Sequence, residues 1–189
     1  MSDMAVNYQR RAISVEDYHR MAEAGVFAAD ERVELLDGEL IEVPPMGSPH
    51  GGGITAITDL LTGRLRGRAS VRVQLPVIVD AHSEPEPDFA IVPLDPREWR
   101  DRHPTARDVL LLVEVSDSSR DFDLHKKAPV YARAAIRELW VVDVVDRRIV
   151  MHRAPKGGRY TMIRIFKAGE RLAPLAFPGD DFDVRAMTG

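Results

Sequence analysis

Pro87-Asp88-Phe89-Ala90-Ile91-Val92 and, farther along, Val109-Leu110-Leu111-Leu112-Val113-Glu114-Val115-Ser116 are the stretches on which the fold turns. Each joins one carboxylate to a near-continuous apolar run. Short runs of this kind suit strands covered on both faces. Asp88 opens the first run and Glu114 closes the second, so both acids belong to strand ends. Asp123 and Lys127 follow one helical turn apart, within a segment from Asp121 to about Ala135 that reads as a helix kinked at Pro129. Two carboxylates from neighbouring strands, with a lysine in reach, are the raw material of a divalent-metal site that works on phosphate esters.

Outward from this centre the period of the sequence changes. Upstream, Val71, Val73, Leu75, Val77 and Val79 alternate as one half-buried strand, with Pro76 marking an edge or a bulge. Before it, Ser48-Pro49 reads as an N-cap and first helical residue, and Ile54, Ile57, Leu60, Leu61 and Leu65 fall at helical spacing up to Gly67. Gly51, Gly52 and Gly53 weaken that helix start and point to close backbone packing. Arg32 to Val43 reads as a hairpin around the Asp37-Gly38 turn signal. Ser14-Val15-Glu16-Asp17 resembles a capping box that opens a short helix ending near Gly25. Downstream, Leu139–Val145, Ile149–Arg153 and Tyr160–Phe166 read as strands. The order helix, three strands, helix, strand implies an α/β (α+β) fold, a mixed sheet with an αβββαβ core flanked by helices and extra hairpins.

Length and composition bound the function. A chain of 189 residues suits a single domain, here 1–189 with its core at about 32–153. There is no cysteine, which removes disulfides and thiolate metal sites. The six histidines show no zinc-ligand spacing. Gly51-Gly52-Gly53 lacks the lysine and hydroxyl residue of a nucleotide-binding loop. No segment has the length and apolarity of a signal peptide core or a membrane span, so the expected location is the cytoplasm. A net charge of −4 argues against a generally basic nucleic-acid coat. Any attraction to DNA would come from local patches: Arg64, Arg66, Arg68 and Arg72, or Arg97, Arg100, Arg102 and Arg107. The alternative is that these arginines are solvated surface.

Together, Glu86-Pro87-Asp88, Val113-Glu114-Val115-Ser116, Asp123 to Lys127, Tyr131 and Glu138-Leu139-Trp140-Val141-Val142-Asp143 resemble the PD-(D/E)XK nuclease superfamily, the restriction-endonuclease-like proteins. More narrowly, the chain is similar to the bacterial Uma-type family of restriction-endonuclease-like proteins, whose pattern also matches Glu34 to Leu40 and Pro45 to His50. The superfamily's usual lysine slot, two residues after the second acid, holds Ser116 here. The resemblance implies that the lysine has moved to the following helix, at Lys127. A long flexible stem lets an ammonium reach one point from either element. Lys126 would project about 100° around the helix. The alternative for Asp123 and Lys127 is a surface i,i+4 ion pair, worth ~0.3–0.5 kcal/mol.

The resemblance implies an endonuclease that hydrolyses DNA phosphodiester bonds with Mg²⁺, for which Mn²⁺ substitutes. Asp88 and Glu114 would be metal ligands, with the Val115 carbonyl as a third. Lys127 would assist the attacking water. Glu34 would complete the metal shell or form a structural salt bridge. His50 would touch the scissile phosphate or serve as an ordinary capping residue. Glu86 shares a strand face with Asp88 and is its understudy, and Gln74 faces the same cleft or the outer surface. Cutting both strands of a duplex would suit a homodimer. Two other classes remain open: a catalytically inactive module that uses the nuclease fold for binding or regulation, and a hydrolase of a small phosphoester, which would need a closed pocket.

Overall fold

The computed structural model describes residues 9–44, 47–117 and 120–189; Pro45 and Met46 of the 45–50 stretch, and residues 1–8, lie outside them. A six-stranded sheet ordered β3-β4-β5-β6-β7-β8 forms the centre. Its strands are β3 (Ser70–Val73), β4 (Phe89–Val92), β5 (Leu111–Ser116), β6 (Glu138–Asp143), β7 (Arg148–Lys156) and β8 (Arg159–Lys167). β5 and β6 pair in parallel and the other neighbours antiparallel. A parallel pair needs a crossover, and the helical segment after β5 supplies it.

The two faces of the sheet carry separate cores. On one, Phe89, Ile91, Val113, Val115, Trp140 and Val142 pack against Ile57, Leu61 and Leu65 of α2 (Ser48–Leu65) and against Val184 and Met187 of α5 (Val184–Thr188). On the other, Ala90, Leu112, Val141 and Val150 meet Val130, Tyr131 and Ala132 of α4 (Ala128–Arg133). Strand alternation sends successive residues to opposite faces. Glu114, between Val113 and Val115, therefore belongs to the α4 face. So does Asp88, one residue before Phe89.

Several expectations hold in detail. Ser14 caps α1 (Val15–Glu23), its hydroxyl accepting from the Asp17 amide at 3.0 Å. β1 (Val33–Leu36) and β2 (Glu39–Glu42) form a hairpin closed by Asp37 and Gly38, at φ 51° and 76°. Those angles define the type I′ turn that matches strand twist. A Cβ on Gly38 would fall 2.6 Å from the Ala12 Cβ, so glycine is required twice over. The hairpin docks through the Glu84 amide, which donates to the Leu35 carbonyl at 2.8 Å, and the Tyr18 hydroxyl, which donates to the Val33 carbonyl at 2.6 Å.

Other expectations need correction. The strand expected over Val71–Val79 stops at Val73, because Gln74 adopts φ 49° and Pro76 has no amide to donate. Val77 and Val79 are buried as expected, but in a loop. Gly47, not Ser48, is the N-cap of α2, with Ser48 and Pro49 inside the helix. Of its three glycines only Gly53 packs closely: a Cβ there would lie 3.2 Å from Val115 Cγ1, whereas Gly51 and Gly52 face open space. β6 ends at Asp143 rather than Val145, β7 and β8 run longer than their apolar residues indicate, and β9 (Arg171–Leu172), β10 (Phe182–Asp183) and α5 complete the chain.

The helix expected from Asp121 to about Ala135 is three joined pieces: α3 (Arg120–Phe122), a π-helical turn (Asp123–Lys127) and α4. Pro129 explains the break in period. It cannot donate a hydrogen bond, and its ring crowds the carbonyl four residues back. The wider turn absorbs the conflict, with the Ala128 amide donating to the Asp123 carbonyl. Among the described residues no helix is long and apolar enough to cross a membrane.

Candidate active site

The antiparallel register pairs Phe89 with Val113, which sets Asp88 beside Glu114. The Asp88 amide donates to Glu114 Oε2 at 3.2 Å, and the Val115 amide donates to Asp88 Oδ2 at 2.8 Å. The two acids of the sequence motif are thus stitched together across the strand end. Lys127 is buried and reaches them from the π turn, its Nζ 3.4 Å from Glu114 Oε1 and 3.2 Å from Glu34 Oε2. The exposed ion pair considered for Asp123 and Lys127 is therefore not what forms. Lys126, by contrast, is exposed.

The remaining candidates divide. Glu34, on β1, is carried into the cluster by the hairpin; its Oε2, though close to Nζ, accepts no hydrogen bond. His50 Nε2 lies 3.2 Å from Asp88 Oδ1, and the Gln74 amide donates to the same oxygen at 3.1 Å. The positive φ of Gln74 both ends β3 and turns that amide inward. Glu86 lies in a loop rather than on a strand shared with Asp88, and pairs with Arg32 at 3.4 Å. It lines the cavity without touching the carboxylate pair.

Tyr131 belongs to the core, as its pattern indicates, but its hydroxyl also donates to Glu114 Oε1 at 2.6 Å. Nothing in the apolar periodicity could show that bond. The Ser116 hydroxyl donates to Asp123 Oδ2 at 2.6 Å, so the residue in the usual lysine slot orients another acid of the cluster. Glu138 is not part of the site. It accepts from Arg153, from the Trp140 indole and from the Leu175 amide, tying β6 to its neighbours.

Electrostatics follow from burial. Asp88 would be raised by desolvation, but hydrogen bonds from His50, the Val115 amide and Gln74 outweigh it and hold the carboxyl below its usual range. His50 is raised, chiefly by its hydrogen bond to Asp88. Burial pushes Glu114 up to about 8, against the pull of Lys127 and with the help of Asp123, Asp88 and Glu34. Glu34 is raised by burial as well. Desolvation opposes charge on Lys127, but the surrounding carboxylates prevail and keep it an ammonium. One buried cation cannot balance several ionised acids, so the raised carboxyls are driven to hold protons, and a divalent ion would relieve the same crowding in their place.

These groups line a cavity of about 320 Å³, together with Ile41, Val43, Phe122 and Asp117. Among the described residues no three His, Asp or Glu side chains converge as a ready-made ion site. Magnesium does not need three: it usually takes one or two carboxylates and completes its shell with water and phosphate oxygens. Asp88 Oδ2 and Glu114 Oε2 each accept one hydrogen bond, so each keeps a lone pair. The hard oxygen donors, the unsatisfied Glu34 Oε2 and the surplus of acid fit such an ion.

Five of the eight arginines in the two candidate patches are paired or buried, while Arg64, Arg66 and Arg107 are exposed. Arg68 binds Asp180, Arg97 binds Asp101, Arg100 binds Glu98, Arg102 binds Asp108, and Arg72 is buried.

The chain is similar in structure to a putative nuclease of the DUF820 group from Anabaena variabilis ATCC 29413, with a TM-score of 0.72 and 11% identity, covering 93% of this chain and 97% of that one. At that identity the likeness establishes the fold. No curated protein matches the sequence. The sequence profile of the Uma2 family, described as "putative restriction endonuclease", matches residues 15–185. With nearly the whole chain matched, and the αβββαβ core in place, the protein belongs to the Uma2 family.

Proposed function

We propose that the protein is a Mg²⁺-dependent endonuclease that hydrolyses DNA phosphodiester bonds at the Asp88–Glu114–Lys127 cluster. The observation that supports this reading is the burial of several carboxylates around one ammonium, at the floor of a cavity open to solvent. Crowded buried acids are costly, and a hydrolytic site gives them a use. The family description and the nuclease title of the structural relative agree with it.

In this reading Asp88 and Glu114 hold the ion, with the Val115 carbonyl as a further oxygen and Glu34 completing the shell. When bound, Mg²⁺ would lower the pKa of a water and withdraw charge from the phosphoryl oxygens. His50 and Gln74 hold Asp88 in its ionised form and fix its orientation. Tyr131 fixes the orientation of Glu114 by donating a hydrogen bond to Oε1. Lys127 presents fixed positive charge where negative charge grows in the transition state.

Calorimetric titration of Mn²⁺ into wild type, Asp88→Asn and Glu114→Gln tests the site. Binding by wild type that both variants lose supports it. Binding that survives either substitution, or none at all in wild type with DNA present, makes a metal-free binding module the better account.

A further inference from the structure

We propose that the cavity accepts a single unpaired DNA strand and rejects a paired duplex, an inference that rests on the nuclease reading above. Three observations carry it.

The first is depth. Asp88, Glu114 and Lys127 are 8%, 2% and 6% exposed, and the apolar residues Ile41, Val43 and Phe122 line the cavity with them. A volume of about 320 Å³ lies at the small end of ligand-sized pockets. The phosphates of a duplex run along the outside of a stiff rod, and cannot be lowered into such a pocket without separating the strands. A flexible single strand can feed one phosphate to the floor.

The second is the chemistry of the walls. Ile41, Val43 and Phe122 are half-buried and apolar, and share the cavity with the more deeply buried acids and Lys127. An unpaired nucleotide offers a base face that packs on such a wall, and stacking on an aromatic ring tolerates any sequence. A duplex keeps those faces inside its own stack.

The third is charge. The carboxylates lining the cavity outnumber its two permanent cations, Arg32 and Lys127, and four of the eight arginines singled out from the sequence are held by acids. Duplex binding depends on neutralising many closely spaced phosphates, and a single strand asks less of the protein. One strand per site also removes the need for a symmetric dimer.

The full-length protein is assayed with Mn²⁺ on one labelled oligonucleotide in three forms: single-stranded, fully paired, and paired with a central unpaired bubble. Binding of each form is measured separately in Ca²⁺, which should support binding without cleavage. The single strand should be cut about tenfold faster than the duplex or more, and the bubble only within its unpaired segment. Phe122→Ala should raise KM for the single strand with kcat nearly kept, and Phe122→Trp should restore it; a purely structural residue would lower kcat and thermal stability together. Equal or faster cutting of the paired form overturns the strand preference and leaves the metal-dependent nuclease standing. An unchanged KM in Phe122→Ala removes the base-packing wall. Failure to bind or cut any of the three forms overturns the nuclease reading and this inference with it.

Discussion

Lys127 Nζ stands 3.4 Å from Glu114 Oε1, both side chains out of solvent, and Glu34 shares the same ammonium from the β1–β2 hairpin. A π turn, a β-strand and a β-hairpin thus converge on one charge. The lysine is therefore both a candidate catalytic group and a structural counter-ion, and its replacement tests the two roles together.

Lys127→Met should abolish metal-dependent cleavage and destabilise the fold by about 3 kcal/mol, because removing one member of a buried ion group strands the others. Lys126→Ala, on an exposed side chain, should leave both unchanged. Urea unfolding and a cleavage assay on the same preparations separate the two lysines. Equal loss of activity in Lys126→Ala would place the assisting charge elsewhere on the helix.

Glu34→Gln removes one acid from a cluster that has too many. The metal-free protein should gain about 1 kcal/mol, as functional carboxylates trade stability for activity. The gain in Tm produced by Mn²⁺ should shrink at the same time, which thermal unfolding with and without the ion reads directly.

Tyr131→Phe keeps the packing and deletes the hydroxyl that donates to Glu114 Oε1. A buried acceptor left short of a partner costs about 1–3 kcal/mol. Activity should fall with it, because the orientation of Glu114 is lost; unaltered kcat would show that Lys127 and the Asp88 amide hold Glu114 on their own.

Two neighbouring glycines should respond in opposite directions. Gly52→Ala, facing open space within α2, should stabilise by ~0.5–1 kcal/mol through helix propensity. Gly53→Ala pushes a methyl towards Val115 Cγ1 and Val144 Cγ1 and should cost about 1–3 kcal/mol. Chemical denaturation of the pair decides whether α2 is seated on β5 as closely as described.

His152 is buried beside Tyr160, donates to the Val150 carbonyl and, mainly through desolvation, has a lowered pKa. Its neutral form is favoured in the folded state, so below pH ~6.5 the unfolded chain binds the extra proton. Stability should fall as pH drops from about 6.5 towards the folded pKa. His152→Phe should flatten that part of the curve. A wild-type profile with the same slope as the variant would assign the acid sensitivity to other groups.

Much of this was readable from the chain. Asp88 and Glu114 are legible because each stands at one end of an otherwise apolar run. Asp37-Gly38 is legible because a type I′ turn asks for positive φ at both positions. The failures are equally specific. Gln74 ends β3 by adopting positive φ, which a non-glycine residue does not advertise. Pro129 announces a kink, but whether the chain bends or widens into a π turn depends on what Asp123 and Lys127 gain inside. Glu138 looks as informative as Glu114 by pattern, yet it serves Arg153 and Trp140.

The sequence by itself determined the local elements and the two acids at strand ends, since periodicity and turn chemistry act between residues near one another. Only the tertiary structure decided that Glu34, His50, Gln74 and Tyr131 meet around those acids. Their spacing along the chain carries no signal, because strand register and helix packing set the distances. Depth was decided in the same way: no single segment encodes a cavity, and this one is lined jointly by the hairpin, the start of α2 and the π turn at the ends of β4 and β5.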